Sequence, residues 1–272
     1  LPIYDRQRGR ALGWIMSGQS LTLLIGVPLA AWLGAIVGWR GVHFGVGLLS
    51  LFAAVLIFIT TAPKDTVPSS AVPRARAKMP IRAALTGPII RLLVAMIVER
   101  ICFGMTTFYY PAFLRSVYEL PIDAVAVPLV DFALGNIVGT ILGGQLADLF
   151  PYRRLSFAVT LAIAGVFAGL TFTWTPSVWV SVGLGVGFSF FDALARPPLM
   201  AAISDVPAEV RGTIMGLNGS LASVGWLSAA LVGGWLYAAL GFGSFAPVML
   251  CMCVLAAAIV VPDSRIRHRV LR

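Results

Sequence analysis

Eight stretches of this chain each hold about 20 or more predominantly apolar residues, the length a helix needs to cross the hydrocarbon core of a bilayer. They run near 12–38, 42–62, 88–113, 124–148, 155–174, 177–203, 211–238 and 241–262. Inside lipid a helix satisfies its own backbone hydrogen bonds, and its side chains must tolerate hydrocarbon all round. The rest of the composition agrees. Of 272 residues, 59% are hydrophobic and only 11% charged, against about 25% charged in a soluble domain. Disorder requires the opposite balance. The fold class expected is therefore all-α: a polytopic membrane protein with eight transmembrane helices.

Breaks between these stretches divide the chain. Gly38-Trp39-Arg40-Gly41 separates the first two spans as a tight turn, and Ala62-Pro63-Lys64-Asp65 stops the second. A polar stretch rich in Pro, Ser and Arg follows and reads as a cytoplasmic linker. The divisions are a two-helix segment over 1–62, the linker over 63–87, a six-helix segment over 88–262 and a basic tail over 263–272. An even number of spans places both ends on one side. With that side cytoplasmic, sixteen of the twenty Lys and Arg residues fall inside, two outside (Arg40 and Arg115) and two within spans (Arg100 and Arg196). The positive-inside rule thus orients the chain in a cell's inner membrane with both ends cytoplasmic.

The net charge of +9 is confined to short connectors, so it is not a nucleic-acid footprint and no nucleic-acid partner is expected. Cys102, Cys251 and Cys253 lie inside apolar segments and read as small core residues. The two histidines, His43 and His268, stand at opposite ends of the chain, and there is no H-E-x-x-H. No lysine follows a glycine, which excludes a phosphate loop. Neither an enzyme, nor a metal site, nor a cofactor is expected.

Self-comparison at an offset of 203 aligns Arg8-Gly9 with Arg211-Gly212, Ser17 with Ser220, Ser20 with Ser223, Trp32 with Trp235 and Gly38 with Gly241. Six helix starts separate the copies, so the repeating unit has six spans in parallel orientation. Gly144-Gln145-Leu146-Ala147-Asp148, followed by Arg153-Arg154, adds a glycine, x, leucine, alanine, aspartate and basic-cluster motif. Gly18, Gly26 and Pro28 mark the first span. In these features the chain resembles the major facilitator superfamily, whose two halves are parallel six-helix repeats. Leu149 and Pro151 depart from the loop motif, and Ala30 and Ala31 from the glycine-proline signature of the antiporters. The resemblance implies two helices of an N-terminal bundle plus a complete six-helix C-terminal bundle. The first four helices would then be missing partners belonging to the same protein. It also implies that Asp148 works at the cytoplasmic closure, near the helix start around Gly9 to Gly13.

Ionisable groups inside lipid are costly and mark function or structural pairing. Glu99 and Arg100 lie about eleven residues into the third span, near mid-membrane. They are candidates for a proton-carrying carboxylate and a cation that tunes it or meets an anionic substrate; a structural ion pair is the alternative. Asp131 shares a helix face with Gly135, Gly139 and Gly143, so it should face protein or water rather than lipid. It is a second proton site or a structural hydrogen-bond partner. Asp192 and Arg196, four apart, can pair along one helix face. Arg196 is placed near the cytoplasmic interface, where it can snorkel. Asp192 and Arg196 join Asp148, Arg153 and Arg211 as candidates for a cytoplasmic gate. Gln19, Asn136 and Asn218 are candidates for hydrogen bonds across helices.

The resemblance implies a secondary active transporter that moves a small molecule across a lipid bilayer by alternating access. Its leading form is proton-coupled export. The alternatives are an uptake carrier for an organic anion or sugar, with Arg100 binding the substrate, or a truncated, non-transporting fragment.

Overall fold

The computed structural model describes residues 18, 22–61, 85–121 and 124–261. The opening basic segment, most of the linker and the basic tail lie outside the described residues. All regular structure among the described residues is helical. The chain divides into two compact units, one holding the described residues 22–61 and the other those from 85 onward.

The first unit is a π turn, Thr22–Gly26, followed by helix α1, Val27–Thr61. Pro28 lacks the N–H that an α-helix would donate to Leu24, which explains the irregular winding ahead of it. The turn expected at Gly38–Gly41 is a single-residue break at Gly38 (φ 74°, ψ 165°), after which the helix resumes at once. Gly34 and Val42 are near neighbours across the break: a Cβ on Gly34 would lie 3.8 Å from Val42 Cγ2. The stretch Ile36–Thr60 has a mean hydropathy of 2.4 and no residue of its most apolar window is buried. Such a surface is stable only against hydrocarbon or the apolar faces of other helices.

The second unit is a bundle of six helices: α2 Gly87–Tyr118, α3 Ala126–Leu149, α4 Arg153–Thr173, α5 Val178–Ser204, α6 Ala208–Leu240 and α7 Phe245–Val260. The last two are joined by Gly241 and a 3₁₀ turn, Phe242–Ser244. Six helical stretches of the described chain are long and apolar enough to cross a membrane. They are 36–60, 126–149, 153–173, 178–204, 210–240 and 242–260. Gly241 has φ 75° and ψ −179°, nearly the conformation of Gly38. These are the corresponding glycines of the internal repeat, and both occupy a region open in practice only to glycine. The repeat therefore carries a shared backbone device, a helix that stops at a glycine and restarts within a few residues.

Close approach of backbones holds the bundle together. The Gly135, Gly139 and Gly143 row packs on α5. A Cβ at Gly135 would lie 3.0 Å from the carbonyl oxygen of Val186, and one at Gly143 would lie 2.6 Å from that of Leu194. At Gly139 the added carbon would overlap the carbonyl oxygen of Phe190. The small-residue stripe expected from sequence is thus a backbone-to-backbone seam, the arrangement that favours association without a hydrophobic driving force. On the other side α2 packs against α6, with Gly104 facing Ala229 and Gly225 facing the Cβ of Arg100. Helix α5 passes through Pro197 and Pro198 without ending.

Gly139→Ala should force α3 and α5 apart and destabilise the bundle by about 1–3 kcal/mol or more. Gly183→Ala, at a site where an added Cβ meets nothing within 4 Å, should be neutral or slightly stabilising. Thermal unfolding of the purified protein in detergent compares the two.

Candidate functional site

Helix α2 buries a row of residues three and four apart: Leu92, Met96, Glu99, Phe103, Thr106, Tyr110 and Phe113. Six of these seven are apolar, aromatic or hydroxyl side chains; the seventh is a carboxylate. Helix α5 does the same with Phe188, Asp192, Arg196, Leu199 and Ile203. Helical periodicity puts one acid on the buried face of α2 and an acid and a base on that of α5, and the packing of the two helices brings them into the same dry interior.

The guanidinium of Arg196 is the centre of the cluster. Its Nε donates to Glu99 Oε1 at 2.8 Å and its Nη2 to Asp192 Oδ2 at 2.6 Å. Its Nη1 reaches Asn136 Oδ1 on α3 at 3.4 Å. Beneath it lies the ring of Phe103, 4.0 Å from Cζ to centroid, the usual geometry of a cation–π contact. Glu99 Oε2 faces Arg100 Nε at 3.1 Å. Glu99 and Asp192 are fully buried, and Arg196 is 6% exposed. Two carboxylates and two guanidiniums make the group neutral, which is what allows charges this deep to persist. Glu99 and Asp192 sit on the same edge of one guanidinium, so two like charges are neighbours held in place by the cation between them.

Asp192 and Arg196 pair along one face of α5, but Arg196 does not lie at the bundle end where sequence placed it. Arg196 is eight residues before the end of α5 at Ser204, about 12 Å along the helix, and it points inward to Glu99 instead of snorkelling. Near the ends of α4 and α5 a second polar group does form. Arg153 Nη1 contacts both carboxylate oxygens of Asp205, at 3.0 and 2.8 Å. Arg211 Nε donates to the carbonyl of Ser204 at 3.1 Å and its Nη2 to that of Val206 at 3.3 Å. Arg211 thus satisfies carbonyls at the C-terminus of α5, where a cation is favoured. Asp148 is half-buried in the last turn of α3 rather than in a loop, and its expected neighbours around Gly9 to Gly13 lie outside the described residues. Asp131 is half-buried near the start of α3 and forms no ion pair among the described residues. The neighbouring Phe132 ring packs on Tyr110, centroids 5.8 Å apart, and the Tyr110 hydroxyl donates to the Ser181 carbonyl at 3.1 Å.

The sequence pattern of the Major Facilitator Superfamily matches the chain twice, over residues 3–130 and 124–271. The chain belongs to the Major Facilitator Superfamily. With its long apolar helices, this superfamily member is a multi-pass membrane protein. It is 27% identical over 247 residues to the "Inner membrane transport protein YdhP" of Escherichia coli O157:H7, covering 89% of this chain and 61% of the relative. It is 32% identical over 166 residues to the "Chloramphenicol resistance protein" of Streptomyces lividans, covering 59% and 41%. A "Probable sugar efflux transporter" of Helicobacter acinonychis is 23% identical over 180 residues, covering 66% and 44%. The chain thus spans less than two thirds of the length of these curated relatives.

Three participants in this superfamily member's polar groups were faint or silent in the sequence. Asn136 was visible as an amide inside a span, but its partner was not. Phe103 was one aromatic among many. Asp205 lies just beyond a span and gave no signal.

Removing Arg196 leaves two adjacent carboxylates buried without their shared cation. Arg196→Ala should cost about 3–5 kcal/mol of stability, and Glu99→Gln with Asp192→Asn in the same chain should recover a large part of it. Asp205→Asn, which breaks a half-exposed pair, should cost no more than about 1 kcal/mol. Denaturant or thermal unfolding of the variants side by side reads both.

Proposed function

We propose that this chain is part of a secondary active transporter that exports a small molecule in exchange for protons by alternating access. Helices α2 to α7 form the second six-helix half of that transporter, and the helical segment 22–61 belongs to the first. The protein sits in the inner membrane with both ends cytoplasmic, as the distribution of Lys and Arg supports. Two of the three named relatives carry resistance or efflux in their names, which supports the outward direction.

The observation that carries the reading is the pair of carboxylates sharing one guanidinium edge in a site closed to bulk water. Adding one proton to Glu99 or Asp192 removes half the charge that holds Arg196. Arg196 must then redistribute its hydrogen bonds among α2, α3 and α5. A single proton thus changes what binds three helices together, which is the property a coupling site needs. Asp131, half-buried near the opposite end of α3 from the Arg153 group, acts as an outer station on the proton path. Asp148, Arg153 and Arg211 act at the cytoplasmic gate.

Inverted membrane vesicles given a proton gradient and labelled chloramphenicol or a neutral sugar test this reading. Glu99→Gln should reduce gradient-driven uptake to below about a tenth of wild type, a proton-transfer loss of the usual size. Asp131→Asn should slow uptake only a few-fold. Wild-type uptake by both Glu99→Gln and Asp192→Asn would exclude this site as the coupling site.

A further inference from the structure

Helices α2 and α7 pack antiparallel in a register that three contacts fix, each about one turn from the next. The Phe113 and Phe242 rings lie 5.5 Å apart between centroids, and those of Tyr109 and Phe245 5.4 Å. Next come Thr106 and Met249, 3.9 Å from Oγ1 to Sδ. One further turn along both helices sets Cys102 opposite Cys253, and their thiols interact directly. Both are free thiols and both are fully buried. Helix α4 closes the third side: a Cβ at Gly165 would lie 2.7 Å from Cys253 Cβ and 3.4 Å from its Sγ. Cysteine as a small packing residue explains the burial of each thiol. It does not require that two of the chain's three cysteines, carried by helices far apart in the sequence, meet sulfur to sulfur.

We propose that Cys102 and Cys253 form a binding site for one soft divalent metal ion of the Hg(II) kind, held between two thiolates. The donor set decides the class of ion. Sulfur ligands select soft ions. Zinc in a closed site takes four ligands, and among the described residues no group of three or more His, Cys, Asp or Glu side chains is placed to supply them. An ion satisfied by two ligands is the one that fits. Charge agrees. A divalent ion displaces the proton of each thiol: two S–H bonds break, two sulfur–metal bonds form, two protons leave to the buffer and the product is neutral. A neutral product is what a dry interior tolerates. Cys102 stands three residues beyond Glu99 on α2, so the ion would fasten α7 to the helix that carries the ion cluster. The site is separate from the proton-coupling reading and does not depend on it.

Equilibrium dialysis of the purified, reduced protein with Hg(II), in the presence of excess N-acetylcysteine as a monothiol competitor, tests the site. Cys251 is exposed on α7, so Cys251→Ser serves as the reference protein and leaves only the facing pair. The reference should retain one Hg(II) per chain, release two protons for each ion bound and unfold at a higher temperature with the ion than without it. Two thiols positioned on one ion should hold it about a hundredfold or more tighter than one thiol alone. Cys102→Ser and Cys253→Ser, each added to the reference, should therefore lose the ion to the competitor. Cys102→Ala and Cys253→Ala take their place if the buried hydroxyl prevents folding. Zn(II) at the same concentration should not be retained. Undiminished retention of Hg(II) by a folded chain lacking either thiol, two ions per reference chain, equal retention of Zn(II), or no retention at all would each overturn the proposal.

Discussion

The guanidinium of Arg196 is the constraint around which the six-helix bundle is arranged. A cation with no access to water has to find acceptors in every direction its N–H groups point, and here they come from three helices. Glu99 on α2 takes the Nε, Asp192 on α5 the Nη2 and Asn136 on α3 the Nη1, while Phe103 covers one face of the plane. A lysine ammonium could not do this, since it has neither the planar fork nor the flat face. The relative depth of α2, α3 and α5 is thereby set by one side chain, because sliding any of them by a turn would strand a buried charge or amide.

That arrangement is possible only because the helices come unusually close. The reach from Arg196 to Asn136 is already 3.4 Å, so any widening of the gap between α3 and α5 would break it. Gly135, Gly139 and Gly143 prevent the widening by letting α3 rest on the carbonyls of Val186, Phe190 and Leu194. The prolines contribute from the other partner. Pro198 has no N–H to offer Leu194, and that carbonyl is the one facing Gly143, where a Cα–H of the glycine row can approach it. The seam and the ion cluster are thus one structure: the first sets the distance at which the second closes.

How much of this could be read from the sequence follows from what each feature depends on. Spans are dictated by the bilayer, so the segments expected near 124–148, 155–174 and 177–203 fall within two residues of α3, α4 and α5. The glycine row was legible because four-residue spacing fixes a helix face whatever the neighbour. The repeat was legible far enough to pair Gly38 with Gly241, which proved to share a glycine-only conformation. What was hidden depends on helix rotation. Glu99 and Arg196 are 97 residues apart, and no periodicity says which faces of two separate helices meet. Arg196 was placed near the interface because it comes late in its span, yet α5 runs eight residues further to Ser204 and the side chain turns inward to Glu99. Asp131 is half-buried near the start of α3, and the face it shares with the glycine row does not say how far along it any partner lies.

The cluster also bridges one of the thinner helix contacts of the bundle. Helix α5 is pressed against α3 and α4, and α2 against α6, whereas direct contact between α2 and α5 is much thinner. Across that thinner contact, the Glu99 to Arg196 pair is the principal polar link. A bond between two closely packed groups would be mechanically redundant, since side chains would hold the same distance without it. A bond across a thin contact is not. Changing its charge changes the force between α2, with its partner α6, and α5, with its partners α3 and α4, while α7 packs on both α4 and α2. Glycine seams hold α3 on α5 and α2 on α6, and the Glu99 to Arg196 pair ties the two assemblies together across their thinner contact.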